Sequence, residues 1–318
     1  MPPHSRNNDE SIGDPRYLHI PSRELRRRYE SARDILASCE LCPHRCRVDR
    51  TDDETGLCQS TATVRVSSHQ AHFGEERPLV GTGGSGTIFF AGCNLRCVFC
   101  QNSRIAHQNA GRRVTDEELA ELMLDLQHRG CHNINFVTPT HYMPQILHAT
   151  QIARDKGLRL PLCYNTGGYE LSDNLEVLNG IIDIYLMDFK FFGAEAARTY
   201  TCTEAEDYPT HAREAALEMH RQVGDLKTDK NAIARSGLML RHLVMPEDIA
   251  QTQDFATWVA ENLSPHTFVN VMSQYRPAYL AEKYPQISRP VNGNEYSQAV
   301  RAAENAGLTR VVASPHIS

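Results

Sequence analysis

Between residues 87 and 272 short apolar runs alternate with amphipathic ones, and this alternation limits the fold more than any other feature of the chain. Strand-like runs fall at residues 87–91, 133–137, 160–164, 182–187, 238–244 and 267–272. Helical periodicity fills residues 115–129, 141–156, 171–178, 194–200, 210–223 and 247–262 between them. The clearest helix opens on a Thr115/Glu118 capping box, shares one face among Leu119, Leu122, Met123 and Leu126, and stops at Gly130. Strands alternating with helices imply βαβ units and a parallel sheet. Six strands are too few for a closed eight-stranded barrel, which leaves a partial barrel or an open doubly wound sheet. Either one places chemistry at the carboxyl ends of its strands. A helix at 298–306 and a short strand at 309–313 follow.

The chain has ten cysteines, seven of them in two tight groups. In a reducing compartment clustered thiols point to metal and not to disulfides. Cys131, Cys163 and Cys202 stand alone and read as small buried apolar residues. The first strand runs directly into Ala91-Gly92-Cys93-Asn94-Leu95-Arg96-Cys97-Val98-Phe99-Cys100, a C-x3-C-x2-C spacing on a loop after a strand. Three thiolates can hold three irons of a [4Fe-4S] cluster and leave the fourth iron open. An open metal position marks chemistry; a closed one marks a structural role. Zinc fits less well, since it usually takes four ligands in paired knuckles.

This C-x3-C-x-aromatic-C loop resembles the signature of the radical S-adenosylmethionine (SAM) superfamily. The resemblance assigns Cys93, Cys97 and Cys100 to a [4Fe-4S] cluster and places Phe99 near the adenine of SAM. It implies an oxidoreductase that reductively cleaves SAM to methionine and a 5′-deoxyadenosyl radical. Segments after later strands resemble the activating enzymes of glycyl-radical enzymes, notably relatives of pyruvate formate-lyase activating enzyme. Asp188-Phe189-Lys190 resembles their Asp-x-Lys at SAM, Asn165-Thr166-Gly167 their Asp-Thr-Asn-Gly, and Arg241 an arginine of their fifth strand. Two departures stand out. The second strand ends in Val137-Thr138-Pro139-Thr140-His141 where most members have Gly-Gly-Glu, so Thr138 and Thr140 would meet the SAM amine. Asn165 replaces an aspartate. The implied partners are a low-potential donor, flavodoxin or ferredoxin, and a protein whose glycine loses hydrogen. Radical modification of a small molecule or another macromolecule is the alternative activity. A non-catalytic iron–sulfur electron carrier is the alternative of another class.

The second group, Cys39, Cys42, Cys46 and Cys58, has the spacing C-x2-C-x3-C-x11-C, a metal-site signal open to zinc or iron–sulfur. His44 could replace one thiolate, and a metal-free thiol group is the remaining reading. The family resemblance includes a similar Cys-x-Leu-Cys-Pro-His-x-Cys segment. The residues His72-Phe73-Gly74-Glu75-Glu76 read as a solvated turn, with a contribution to the site as the alternative, and the glycine run 81–86 as a flexible approach without the Gly-Lys-Ser/Thr ending of a phosphate loop. His141, at the end of the second strand, reads as a hydrogen-bonded structural residue.

The expected organisation is a polar tail and basic helix over 1–38, a cysteine segment over 39–80, the barrel over 81–280 and a C-terminal extension over 281–318. Residues 1–20 read as mobile, Ser22 as a helix N-cap, and Arg23, Arg26, Arg27, Arg28 and Arg33 as a solvated face. The overall expectation is α/β, a partial (β/α)6 TIM-like barrel with an N-terminal cysteine-bearing extension. A net charge of -6 gives no nucleic-acid or membrane-surface signal. No apolar run reaches the ~20 residues that span a bilayer, and no secretory signal is evident, so a cytoplasmic location is expected.

Overall fold

The computed structural model describes residues 13–201 and 205–314. Ten strands are present among them: β1 (Val64–His72), β2 (Ser85–Phe90), β3 (Arg112–Val114), β4 (Ile134–Val137), β5 (Leu162–Thr166), β6 (Ile184–Asp188), β7 (Lys227–Thr228), β8 (Ala234–Leu243), β9 (Phe268–Met272) and β10 (Val311–Ser314). Their order is β10-β9-β8-β6-β5-β4-β2-β1-β3, with β7 paired to β8 off this path. Neighbours from β10 to β2 run parallel, and β1 lies antiparallel to both β2 and β3. The six expected strands correspond to β2, β4, β5, β6, β8 and β9. The expected C-terminal extension contributes β10 as a seventh parallel strand. The fold is a partial barrel, open between its two edges.

The parallel strands form where the sequence is apolar on both sides. Every residue of β5 and β9 is buried, as in the near-continuous hydrophobic strands of covered parallel sheets. Outward side chains such as Phe136, Tyr164 and Leu240 join the main core beneath the helices. Inward ones (Cys163, Ile184, Leu186, Met239 and Phe268) form a smaller core inside the barrel with Leu79. The Thr115/Glu118 capping box is made in both directions, at 3.2 and 2.8 Å.

Several local expectations are corrected by tertiary contacts. Residues 1–12 of the expected mobile tail, and Cys202, lie outside the described residues. Over 16–19 the chain forms a single 3-10 turn, with Tyr17 fully buried and its hydroxyl donating to the Leu160 carbonyl at 3.1 Å. Pro21 takes the N-cap position of the helix Ser22–Asp34, and Ser22 Oγ accepts from Arg154 at 2.7 Å instead. Arg28 turns inward to the Val177 and Asn179 carbonyls, so the basic face is only partly solvated. In the glycine run, Ser85 and Gly86 already belong to β2. A Cβ on Gly86 would meet the Asn133 carbonyl at 2.5 Å, a close approach that only glycine permits. Glu75 and Glu76 do not sit on a solvated turn. They follow β1 into the barrel from its N-terminal end, where Asn270 donates to Glu76 at 2.9 Å. Cys131 and Cys163 are buried, as expected of isolated cysteines.

The carboxyl end of β6 rests on an aromatic group. Phe189 packs against Phe255 at 5.1 Å, and Phe255 stacks on His242 at 4.3 Å. Phe255 is fully buried, so Phe255→Ala should lower stability by about 3–5 kcal/mol in chemical denaturation. A loss below about 1 kcal/mol would show that the helix Thr252–Asn262 can collapse into the space.

Candidate active site

Side chains alternate along a strand, so residues two apart share a face. Above the inward apolar positions Cys163, Ile184, Leu186 and Met239 this rule places Asn165, Asp188 and Arg241, one layer nearer the carboxyl ends. These three meet. Arg241 donates to Asp188 at 2.5 Å, to Asn165 at 2.9 Å and to Glu75 at 2.9 Å, with Glu76 at 3.8 Å. Lys190 adds a bond to Asp188 at 3.2 Å. Burial opposes the charge of Asp188, but Arg241 and Lys190 outweigh it and hold the carboxyl down to about 2. Tyr208 fixes the layer from behind. Its hydroxyl accepts from the Lys190 amide at 2.9 Å and lies 3.0 Å from the Gly167 carbonyl and 3.1 Å from that of Asp188.

The cysteine loop lies across the same end. Gly92 opens it at φ +87, and a Cβ there would sit 2.6 Å from the Cys58 carbonyl and 2.7 Å from Ser60 Oγ. Asn94 ties the loop to the Tyr169 carbonyl at 2.6 Å, and the Leu95 amide donates to Cys93 Sγ at 3.3 Å. Cys97 is buried; Cys93 and Cys100 are half-buried. Burial pushes the Cys93 thiol up to about 12 and raises Cys97 and Cys100, while Lys190 favours the thiolate of all three. Cys97 is within electrostatic reach of both Cys93 and Cys100. This donor set fits an iron–sulfur cluster: three grouped thiols on one loop, costly to ionise alone, facing a buried cation. Phe99 is buried edge-on against Phe191 at 5.8 Å and Tyr275 at 6.1 Å.

At the end of β4 no carboxylate stands on the strand, and a buried one from another segment lies close by. Glu170, buried and downstream of β5, accepts from Thr140 at 2.6 Å and from Thr166. Burial pushes its carboxyl up to about 7 against these two bonds and one from Tyr164. Thr138 sits at φ +60, in the left-handed region that a β-branched residue rarely adopts, and its amide donates to the Asn165 carbonyl at 2.8 Å. His141 is buried and bonded to the Ala91 carbonyl at 2.9 Å; burial lowers its basicity to about 3, so it stands as a neutral structural donor. The structure therefore brings together Asn165, Asp188, Lys190, Arg241 and the cysteine loop, while Thr166, on the other face of β5, bonds Glu170 instead. Sequence reasoning missed Glu75, Glu170 and Tyr208.

The family model for the radical SAM superfamily matches residues 87–256. The chain belongs to that superfamily. A radical SAM protein of this kind carries a [4Fe-4S] cluster, binds SAM and requires a reductant. An uncharacterized protein of Methanocaldococcus jannaschii is 32% identical over 291 residues, 88% of this chain and 78% of that protein. A second uncharacterized protein of the same organism is 25% identical over 179 residues, 51% of this chain and 52% of its own length. Among solved structures, a radical SAM methyltransferase from Sphaerobacter thermophilus overlays with a TM-score of 0.51 at 12% identity, over 72% of this chain. The chain spans 65% of that structure's length, and the likeness is one of fold. No helix among the described residues is long and apolar enough to cross a membrane.

Glu170 gives this radical SAM protein a pH signature. A carboxyl raised by folding contributes stability that is fully present below its unfolded pKa and is lost as pH rises through its folded value, about 7. Between about pH 4.5 and 7 the wild type should lose stability relative to Glu170→Gln, measured by denaturant titration at several pH values. Parallel curves for the two proteins would mean that Glu170 is ionised throughout.

Proposed function

We propose that Cys93, Cys97 and Cys100 hold the cluster and that SAM lies over the layer formed by Asn165, Asp188, Lys190 and Arg241. The observation that carries this reading is the convergence of that layer with the cysteine loop. Lys190, just past β6, favours the thiolate of all three cysteines, and the Gly167 backbone lies against Leu95 of the loop. When bound, the cluster supplies the electron that cleaves SAM to methionine and a 5′-deoxyadenosyl radical.

The chain's own residues then bind and orient. Asp188, held ionised, accepts from the SAM amine or ribose. Lys190 and Arg241 offer positive charge to the SAM carboxylate. The hydroxyls of Thr138 and of Thr140, the latter bonded to Glu170, would take the place of the Gly-Gly-Glu carboxylate at the amine. Phe99, packed against Phe191 and Tyr275, borders the adenine. Hydrogen abstraction from a substrate is the chemistry the bound group would supply, and the resemblance of Asp188-Phe189-Lys190 to the activases favours a protein glycine. Flavodoxin or ferredoxin is the matching donor.

Anaerobic reconstitution followed by dithionite and SAM should yield 5′-deoxyadenosine from the wild type and none from Cys97→Ala. Asp188→Asn should bind SAM at least about tenfold more weakly in calorimetry, a loss of about 1.4 kcal/mol. A glycyl-radical doublet by electron paramagnetic resonance in a candidate partner protein would establish the activase activity. Deoxyadenosine formed without transfer to any partner would remove the activase reading and leave the SAM chemistry in place.

A further inference from the structure

Arg241 and Asp188 are direct partners in the β6–β8 pairing, and an arginine beside a carboxylate makes its strongest pair as a bidentate fork. That fork is not made here. Nε and Nη2 share one edge of the planar guanidinium. Only Nε reaches Asp188, donating to Oδ1 at 2.5 Å, while Nη2 donates to Asn165 Oδ1 at 2.9 Å. Nη1, on the opposite edge, donates to Glu75 Oε2 at 2.9 Å. Asp188 Oδ2 accepts from Lys190 at 3.2 Å. Each carboxylate oxygen can accept more than one hydrogen bond, so Asp188 retains acceptor capacity that a fork would consume.

Glu75 belongs to none of the parallel strands. β1 ends at His72, the chain turns through Phe73, which is 63% exposed, and the next two side chains go inward. Those of Glu75 and Glu76 are only 7% and 5% exposed. A buried carboxylate is costly unless a partner offsets it. Glu75 has Arg241 on one oxygen and His72 Nδ1 at 3.4 Å from the other. Burial opposes its charge, but His72 and Arg241 outweigh it and hold the carboxyl below its usual range. His72 is itself held edge-on to Phe89 at 5.8 Å. Glu76 is anchored by Asn270 at 2.9 Å, and its other oxygen, which makes no hydrogen bond, stands 3.8 Å from Arg241 Nη1. Both carboxylates draw Nη1 toward the amino end of the barrel, away from the mouth where the cysteine loop lies.

We infer that Glu75 is a positioning residue for SAM, holding Arg241 back from the mouth so that Asp188 keeps acceptor sites open to the ligand. The inference rests on the reading that SAM lies over this layer. Without Glu75 the nearest pull on Nη1 is gone. The guanidinium then closes on Asp188 in the fork and occupies the positions offered to the SAM amine or ribose. A residue that acts in this way changes how tightly SAM binds and leaves the chemical step alone.

The test is calorimetry of SAM on the full chain, reconstituted anaerobically and left unreduced, followed by the SAM dependence of 5′-deoxyadenosine formation under dithionite. Glu75→Met removes both charge and acceptor at similar volume and should bind SAM about tenfold more weakly; Glu75→Gln, which keeps an acceptor, should fall between it and the wild type. KM for SAM should rise in step while kcat stays within about twofold. In an Arg241→Met background, Glu75→Met should change the affinity by less than about twofold, because it acts through Arg241. Circular dichroism establishes which variants are folded, and Glu75→Gln carries the test alone should Glu75→Met not fold. Wild-type affinity in a folded Glu75 variant overturns the inference, and so does a loss of equal size with and without Arg241. Asp188→Asn separates the two levels of the argument. Weaker SAM binding there, with no effect at Glu75, sinks this inference alone; no effect at either position also sinks the reading that SAM lies over the layer.

Discussion

Arg241 reaches from β8 to Asp188 on β6, to Asn165 on β5 and to Glu75 beyond β1, and so closes the barrel interior around one buried cation. Strand register alone puts Asp188 and Arg241 side by side, since they are direct partners in the β6–β8 pairing. Glu75 comes from the opposite end of the barrel. Its carboxylate and that of Glu76 offset the cost of holding a guanidinium largely out of water. The arrangement also keeps Asp188 ionised in a place where burial alone would neutralise it. Binding groups fixed in this way need no rearrangement when a charged ligand arrives.

The cysteine loop is tied to the strands that carry this layer. Asn94 bonds to the backbone after β5, Gly167 abuts Leu95, and Tyr208 locks the Gly167 and Lys190 backbones to each other. The loop therefore inherits its position from β5 and β6, the strands that carry Asn165 and Asp188. From the other side it meets the segment from Cys39 to Ser60, through His44, Leu57 and the tight packing at Gly92. A chain that had only to bury its barrel would not need the N-terminal segment pressed so closely on three points of this loop.

Much of the barrel was legible because its strands are apolar on both faces and its helices periodic, so local pattern and global fold agree. The cysteine loop was legible because its spacing is short and strictly local. What escaped was non-local. Glu75 and Glu76 look like a solvated turn in any short window; only Arg241, 166 residues from Glu75, draws them inside. Tyr17 belongs to a polar stretch, yet a single hydroxyl bond to Leu160 and full burial pin it to the barrel. The three residues of β3, Arg-Arg-Val, carry no alternation to reveal them and pair only because β1 offers an edge.

The end of β4 shows how a missing motif can be restored by neighbours. Where most members of the superfamily place two glycines and a glutamate, this chain has Thr138 in a left-handed conformation, a strain of about 1–3 kcal/mol in a β-branched residue. Such strain persists only where the surroundings fix it, and here the Thr138 amide is held by the Asn165 carbonyl of the next strand. The backbone thus keeps the turn that glycine would favour. A carboxylate lies nearby as well: Glu170 returns from beyond β5 to bond Thr140 and Thr166 at once. Thr140 follows β4 and Thr166 ends β5, so one buried carboxyl couples two adjacent loops at the mouth of the barrel. A glutamate on β4 itself could not do this, since its own strand would already fix its place. The ends of β4 and β5 are thus tied through one carboxyl, and the polarity of the mouth depends on whether Glu170 holds its proton.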